Sequence, residues 1–256
     1  MRVWTIANQK GGVGKTTTVA AFGGLFAASG ERTLLVDMDP HASLTHYFRA
    51  DGERPGLYQV FTEDRGIRDL AQATAFPGLS LLAASPALAT LDRQFGARNG
   101  MGRVLQKALA AAEADYDRVL LDCPPLLGIL MVNALAACER VLIPTQTEFL
   151  ALRGLERMLQ TLAMLTRSSG RALDHHIIPT LYDGRTHASR SSLEQLRRTY
   201  GGRITRNEIP VDTQLREASL AGVPAGQWQT SRRGAAAYQL LFDELSALED
   251  VAEALP

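Results

Sequence analysis

Two cysteines, three lysines and no apolar run of about 18 residues, the length a bilayer span needs, set the first limits on this chain of 256 residues. Cys123 and Cys138 both lie in apolar stretches and form no C-x-x-C pair. That predicts reduced thiols in a reducing compartment and argues against an iron–sulfur cluster. Met1-Arg2 leads straight into a short apolar run ended by Asn8, so no secretory leader is expected and the expected address is the cytoplasm. Net charge is absent too, with 27 Lys+Arg against 27 Asp+Glu. A chain-wide attraction to nucleic acid or anionic lipid is thereby removed, although a local patch is not. No Pro/Gly/Ser-rich linker, fixed-period repeat or low-complexity tract divides the chain, and residues 1–256 read as one domain. With 46% hydrophobic residues, 22 Gly and 11 Pro, disorder and collagen-like repeats are excluded.

What is present is alternation. Short apolar runs predict buried strands at Val3–Ala7, Thr33–Val36, Leu79–Ala83, Arg118–Leu121, Arg140–Pro144 and His175–Thr180. Segments of helical period separate them: Lys15–Ser29, Pro86–Phe95, Met101–Ala112, Gly128–Ala137, Ala151–Arg167, Ser189–Tyr200 and Ser231–Leu248. The pattern predicts an α/β fold, a doubly wound and mostly parallel sheet with helices on both faces. Ligands of such sheets gather at the carboxyl ends of the strands. Arg49–Pro77 is the least patterned stretch and reads as an insertion or a lid.

Asn8-Gln9-Lys10-Gly11-Gly12-Val13-Gly14-Lys15-Thr16-Thr17 follows the first strand and opens the first helix. Gly11, Gly12 and Gly14 permit a tight loop whose N–H groups converge on phosphate oxygens, helped by the positive end of the helix. Lys15 can reach the β- and γ-phosphates, and the Thr16 hydroxyl is placed to ligate Mg²⁺. Lys10, Gly11, Gly12, Val13, Gly14, Lys15, Thr16 and Thr17 are therefore the candidate nucleotide-binding run. Gln9 stands where the general G-x-x-x-x-G-K-[ST] pattern has its first glycine, and a second lysine, Lys10, precedes the glycine pair. Against 24 arginines, two of only three lysines (the third is Lys107) sit in this loop, as expected where a compact ammonium is needed.

This spelling resembles the deviant Walker A motif of the ParA/MinD group of P-loop ATPases. The resemblance implies that Lys10 crosses a dimer interface to the partner's nucleotide. Leu34-Leu35-Val36-Asp37-Met38-Asp39-Pro40 ends the second strand in two carboxylates on one side, and resembles the group's Walker A′ motif. By that likeness Asp39 orients the hydrolytic water and Asp37 supports the Mg²⁺ shell. The group commonly has Gln next, where this chain has His41. His41 reads either as a helix-entry residue without chemistry or as a catalytic base, and the change leaves open whether switching or turnover is altered. Val119-Leu120-Leu121-Asp122-Cys123-Pro124-Pro125 resembles Walker B followed by a Pro-Pro switch, with Asp122 holding Mg²⁺ through water and Cys123 a packed small residue. The implied reaction is slow hydrolysis of ATP to ADP and phosphate, with Lys15 and Lys10 spreading charge and Asp39 aligning the water.

Ile177–Arg185, Asn207–Asp212 and Leu215–Pro224 resemble the closing portion of the same fold, so the likeness spans nearly the whole chain. It implies adenine contacts at Tyr182, Asp183, Pro210 and Asp212, although the last two read equally well as a strand-to-helix turn with an Asp N-cap. Residues 151–233 hold 13 arginines, no lysine and 7 acids. Arg185, Arg190, Arg197, Arg198 and Arg216, with Arg203, Arg206, Arg232 and Arg233, read either as solvated helix faces or as a basic face that holds DNA through its phosphates. MinD relatives end in a basic amphipathic helix. Here the last helix carries Asp243, Glu244, Glu249, Asp250 and Glu253, so no membrane anchoring is expected. The first strand begins near residue 3, so no helix-turn-helix is expected ahead of it.

The resulting expectation is a P-loop NTPase that forms a homodimer around two ATP–Mg²⁺. It would bind DNA nonspecifically, answer to a ParB-like or cargo-adaptor protein, and be cytoplasmic, with nucleoid association if the basic face is real. Its cargo is DNA or a protein assembly such as a chemosensory array. Two alternatives stay open: an ATP-dependent biosynthetic enzyme of the amide synthase or ligase type, and a scaffold that binds ATP without turning it over.

Overall fold

Val3 and Trp4 show why the chain builds a sheet covered on both sides: neighbours in one strand, they enter different apolar clusters. Leu34 and Leu35 divide in the same way, as do Val119 and Leu120, and Val141 and Leu142. A strand turns successive side chains to opposite faces, so a strand apolar at every position needs two covers.

The computed structural model describes residues 1–96, 100–228 and 232–254, the side chains of Arg232 and of 250–254 excepted. In chain order its elements are β1 (Arg2–Ile6), α1 (Lys15–Ala28), β2 (Thr33–Asp37), α2 (Ser43–Tyr47), α3 (Leu57–Thr62), α4 (Ile67–Leu70), β3 (Gln72–Ala73) and β4 (Leu79–Leu82). There follow α5 (Leu91–Phe95), α6 (Val104–Ala111), β5 (Arg118–Asp122), α7 (Ile129–Ala137), β6 (Arg140–Gln146), α8 (Phe149–Ser169), β7 (Asp174–Thr180), α9 (His187–Tyr200), α10 (Gln214–Ala221) and α11 (Arg232–Ala254). The described strands form one seven-stranded sheet in the order β3-β4-β2-β5-β1-β6-β7. Every pairing is parallel except that of β3 with β4. This is the predicted doubly wound α/β architecture, and all six predicted strands are present. No described helix is long and apolar enough to cross a membrane.

Two elements of the cover matter for the site. Helix α1 packs Phe22 and Phe26 edge-on against Trp4 of β1. Helix α11 lies beside it, with Phe242 in contact with Phe26. At the foot of the sheet the Arg118 guanidinium sits 4.0 Å from the Phe26 ring and 5.0 Å from Trp4. It donates to both carboxylate oxygens of Glu249 in α11.

Three expectations need correction. The stretches expected as single helices at Pro86–Phe95 and Met101–Ala112 each begin with a 3₁₀ turn, at Pro86–Thr90 and Met101–Arg103, before α5 and α6. Arg49–Pro77 is no lid: Leu57, Val60, Phe61, Ile67 and Leu70 are buried in the core, and none of its residues lines the cleft described below. Its apolar residues are split among α3 and α4, each too short to show a helical period. Helix α2 was not anticipated; α10 follows Pro210 and Asp212 as their strand-to-helix reading implies, with Asp212 Oδ1 accepting from Gln214 N at 2.9 Å, but it buries only Ala218, so its sequence carries almost no apolar stripe. The expected start of the last helix, Ser231, lies outside the described residues.

Candidate functional site

The register of the sheet assembles the site. Ile6, the last residue of β1, is aligned with Asp122 at the end of β5, and Asp122 is aligned with Asp37 at the end of β2. The loop after β1 therefore emerges between two carboxylate-bearing strand ends on one side and β6 on the other.

Residues 7–14 turn from β1 into α1. Gly12 and Gly14 have φ of 73° and 92°, a region where a Cβ costs conformational energy, so the glycines are what let the backbone curl. The loop is braced from beneath: Asn8 donates to Pro144 O at 2.8 Å and accepts from Lys10 N at 3.0 Å. Gln9 donates to Thr161 of α8 at 2.8 Å, and Thr180 of β7 donates to Val13 O at 2.8 Å. Lys15 bends back so that Nζ reaches Lys10 O at 3.2 Å. Burial pushes the Lys15 ammonium pKa down, while Asp122 pulls it up.

Thr16 donates to Asp122 Oδ2 at 2.7 Å, and Asp122 Oδ1 is buried without a hydrogen-bond partner. Burial, then the neighbouring Asp37 charge, raises the Asp122 carboxyl well above its ordinary range. A buried carboxylate with one orphaned oxygen beside a threonine hydroxyl is a donor set that a hard divalent cation would satisfy. Asp37 is placed differently. Its Oδ2 accepts from Thr45 N and Thr45 Oγ1, both at 2.8 Å, and its Oδ1 from Asp39 N at 3.1 Å. Asp37 does not line the cleft, and burial raises its carboxyl to about 6. Its bonds hold the turn that carries Asp39.

The loop opens onto a cleft of about 610 Å³. Gly11, Gly12, Gly14, Lys15, Thr16 and Thr17 line one wall, and Asp39, His41, Ser43 and Pro125 another. Leu181, Pro210, Asp212, Leu215, Arg216 and Tyr238 line the cleft as well. Leu181 has φ of 51°, a strained conformation for a side chain of its size, at the point where β7 turns away beside the cleft. Of the four adenine candidates, Pro210 and Asp212 line this cleft. Tyr182 and Asp183 line an adjoining recess with Arg185 and Arg233. Tyr238 of α11 was not anticipated; its hydroxyl lies 3.1 Å from Thr18 Oγ1.

The DNA candidates lie on α9, on α10 and in the loops beside α9. Arg185 is bidentate to Asp183 at 2.8 and 2.9 Å, Arg190 donates to Gly184 O, and Arg197 pairs with Glu208 at 3.0 Å. Arg198 is exposed next to Arg197 in the last turn of α9, Arg203 approaches His175, and Arg216 faces the cleft. Arg232 has no described side chain. Glu148, which precedes α8 and pairs with Lys10, was missed altogether. The signal that could have found it is an acid just past the carboxyl end of a strand adjacent to β1. Cys123 and Cys138 are buried as expected, and burial pushes both thiols up, that of Cys138 to about 11.

A family model for the AAA domain matches residues 1–175. The sporulation initiation inhibitor protein Soj of Bacillus subtilis is 33% identical over 250 residues, which is 96% of this chain and 98% of Soj. The chromosome partitioning protein ParA of Caulobacter vibrioides is 35% identical over 254 residues, 97% of this chain and 95% of ParA. Among solved structures, a cobyrinic acid a,c-diamide synthase from Mycobacterium smegmatis with bound ATP analogue and magnesium aligns with a TM-score of 0.85 and 35% identity, over 96% of this chain and 94% of that one. With the phosphate loop, the two carboxylate-ended strands and this likeness along almost its whole length, the chain belongs to the ParA-like P-loop ATPases.

Proposed function

We propose that this chain is an ATP hydrolase that pairs face to face with a second copy around two ATP–Mg²⁺ and uses hydrolysis to time the positioning of a cargo. The observation that carries the reading is the second lysine. Lys10 is not among the residues that line the cleft and pairs with Glu148, and the segments that follow the two strands flanking β1 carry exposed apolar residues. Leu126 and Leu127 follow β5, and Phe149 and Leu150 open α8 after β6; Leu126 is 76% exposed and Phe149 67%. Exposed leucines and a phenylalanine bracketing a nucleotide mouth are what a partner would cover.

In this mechanism the loop N–H groups and Lys15 bind the β- and γ-phosphates, and Leu181, Pro210 and Leu215 take the base. Thr16 and Asp122 would hold Mg²⁺, with Asp37 behind them, and a bound ion would supply neutralisation of charge on the phosphate oxygens. Asp39 orients a water for in-line attack on the γ-phosphorus, so the bond to the β-phosphate oxygen breaks and ADP leaves. Lys10 of each copy reaches the other's triphosphate, and loss of the γ-phosphate releases the pair. The cargo is DNA or a protein assembly, engaged through a ParB-like or adaptor protein. Nonspecific DNA binding by the arginines of residues 185–216 supplies the anchor, in the cytoplasm on the nucleoid.

The likeness to a diamide synthase keeps an amide-forming enzyme as the second reading. A glutamine-dependent enzyme of that kind needs an accessible thiolate nucleophile, and the buried thiols of Cys123 and Cys138 weigh against it. The deciding experiment is mass determination by light scattering, with phosphate release measured in parallel. The switch predicts a monomer with ADP and a dimer when Asp39→Ala is loaded with ATP, and turnover raised by duplex DNA plus a partner in a salt-sensitive manner. A monomer under both conditions, or turnover that requires a small-molecule acid and ammonia or glutamine, overturns it. ATP binding without phosphate release from the wild type supports the scaffold instead.

A further inference from the structure

Asp39 has one oxygen engaged and one open. Its Oδ1 accepts from His41 N at 2.9 Å and lies 2.7 Å from His41 Nδ1. No described residue bonds Oδ2, and the carboxylate lines the cleft with Lys15 and Thr16. The backbone bond alone is an ordinary Asx turn, which leaves the carboxylate able to rock about its last torsion. A second donor on the same oxygen opposes that motion. The His41 ring is not placed there by packing, since its side chain is 83% exposed. Its contact with Asp39 is the hydrogen bond.

We infer that His41 is a positioning residue for hydrolysis: Nδ1–H holds Asp39 Oδ1 so that Oδ2 alone faces the water to be aligned. The inference rests on the proposed role of Asp39. It requires the ring tautomer protonated at Nδ1, which is set by that bond. Reactivity is steep in geometry, a displacement of about 1 Å costing about 10²-fold, so a carboxylate free to rock should lower turnover without weakening nucleotide binding.

The test compares wild type, His41→Ala, His41→Asn and Asp39→Ala in magnesium-ATP turnover. Asparagine offers an amide nitrogen near the place of Nδ1. His41→Ala is expected to lower kcat about tenfold, with KM within about twofold, and His41→Asn to recover to within about threefold. The second readout uses the nucleotide-free protein in alkaline buffer. The imidazole ¹⁵N spectrum, assigned by the signals lost in His41→Asn, should show Nδ1 protonated in wild type and not in Asp39→Ala. Unchanged kcat in His41→Ala, an Asn variant as slow as Ala, or a wild-type ring protonated at Nε2 overturns the inference. These results combined with an inactive Asp39→Ala defeat His41 alone. An Asp39→Ala protein as active as wild type defeats the Asp39 assignment and the inference with it.

Discussion

The Lys10 ammonium is paired with the Glu148 carboxylate of its own chain, 138 positions away in sequence. The contact forms because β6 lies next to β1 in the sheet, which brings the residue after one strand beside the loop after the other. If Lys10 reaches a second copy as proposed, it has first to leave this acid. Glu148→Gln removes the charge it leaves behind. In an Asp39→Ala background with ATP, sedimentation should show the Glu148→Gln protein dimerising at a concentration lowered several-fold. That corresponds to about 1 kcal/mol, the upper range for a partly exposed pair. An unchanged or raised dimer dissociation constant would show that Glu148 does not restrain Lys10.

Gly154, in the second turn of α8, is where that helix meets the loop. A Cβ there would stand 3.0 Å from Lys10 Cβ and 3.3 Å from Asn8 Oδ1. Gly154→Val should displace the phosphate loop and weaken ATP binding by about tenfold or more, an overpacking effect in the range of about 1–3 kcal/mol. Titration calorimetry checks the affinity, and circular dichroism checks that the helix content is retained.

Arg118 ties the foot of the sheet to α11. Its guanidinium donates to Glu249 at 2.9 and 3.1 Å and to Glu31 at 3.0 Å, and Trp4 also donates to Glu249 at 3.0 Å. Arg118→Met would take two hydrogen bonds from the nearly buried Glu249 and leave it the Trp4 N–H, with Arg2 3.9 Å away, at a cost of about 1.5–3 kcal/mol. Arg118→Lys should recover only part of this, because an ammonium cannot reproduce the fork. Urea unfolding of the three proteins measures both differences.

Asp174 gives the molecule an acid-sensitive contact. A hydrogen bond with His176 and another from Arg140, the latter 2.7 Å from Asp174 Oδ2, hold its carboxyl well below the usual range against the opposing effect of burial. A depressed carboxyl contributes its stability above the unfolded value and loses it as pH falls toward the folded one. Asp174→Asn should therefore lower Tm by about 2–4 °C at neutral pH, the equivalent of about 1 kcal/mol for a half-exposed group. The gap between the two proteins should close as pH drops below about 4. A Tm difference that stays constant from pH 7 to pH 3 would contradict the assignment.

The phosphate loop was legible because its chemistry is contiguous. Gly12 and Gly14 take up backbone angles that depend on those residues alone, and Lys15 and Thr16 follow at a helix start. Asp37, Asp39 and Asp122 were legible as acids that end apolar runs. Their division of labour was not, because it depends on what each meets: Thr45 occupies Asp37, His41 meets Asp39, and Thr16 leaves one oxygen of Asp122 unpaired. The segment 49–77 was opaque because helices of four and six residues, α4 and α3, give periodicity no room to show.

Sequence alone determined the alternation of buried strands and helices, the glycine turn and the acids at strand ends, since each follows from conformational preferences within a few residues. The sheet order decided the rest. It set Glu148 against Lys10, turned Arg216 of α10 toward the cleft, and brought Tyr238 to Thr18 across 220 positions. Those contacts join groups far apart along the chain, and their geometry comes into being only when the strands are packed side by side and both faces are covered.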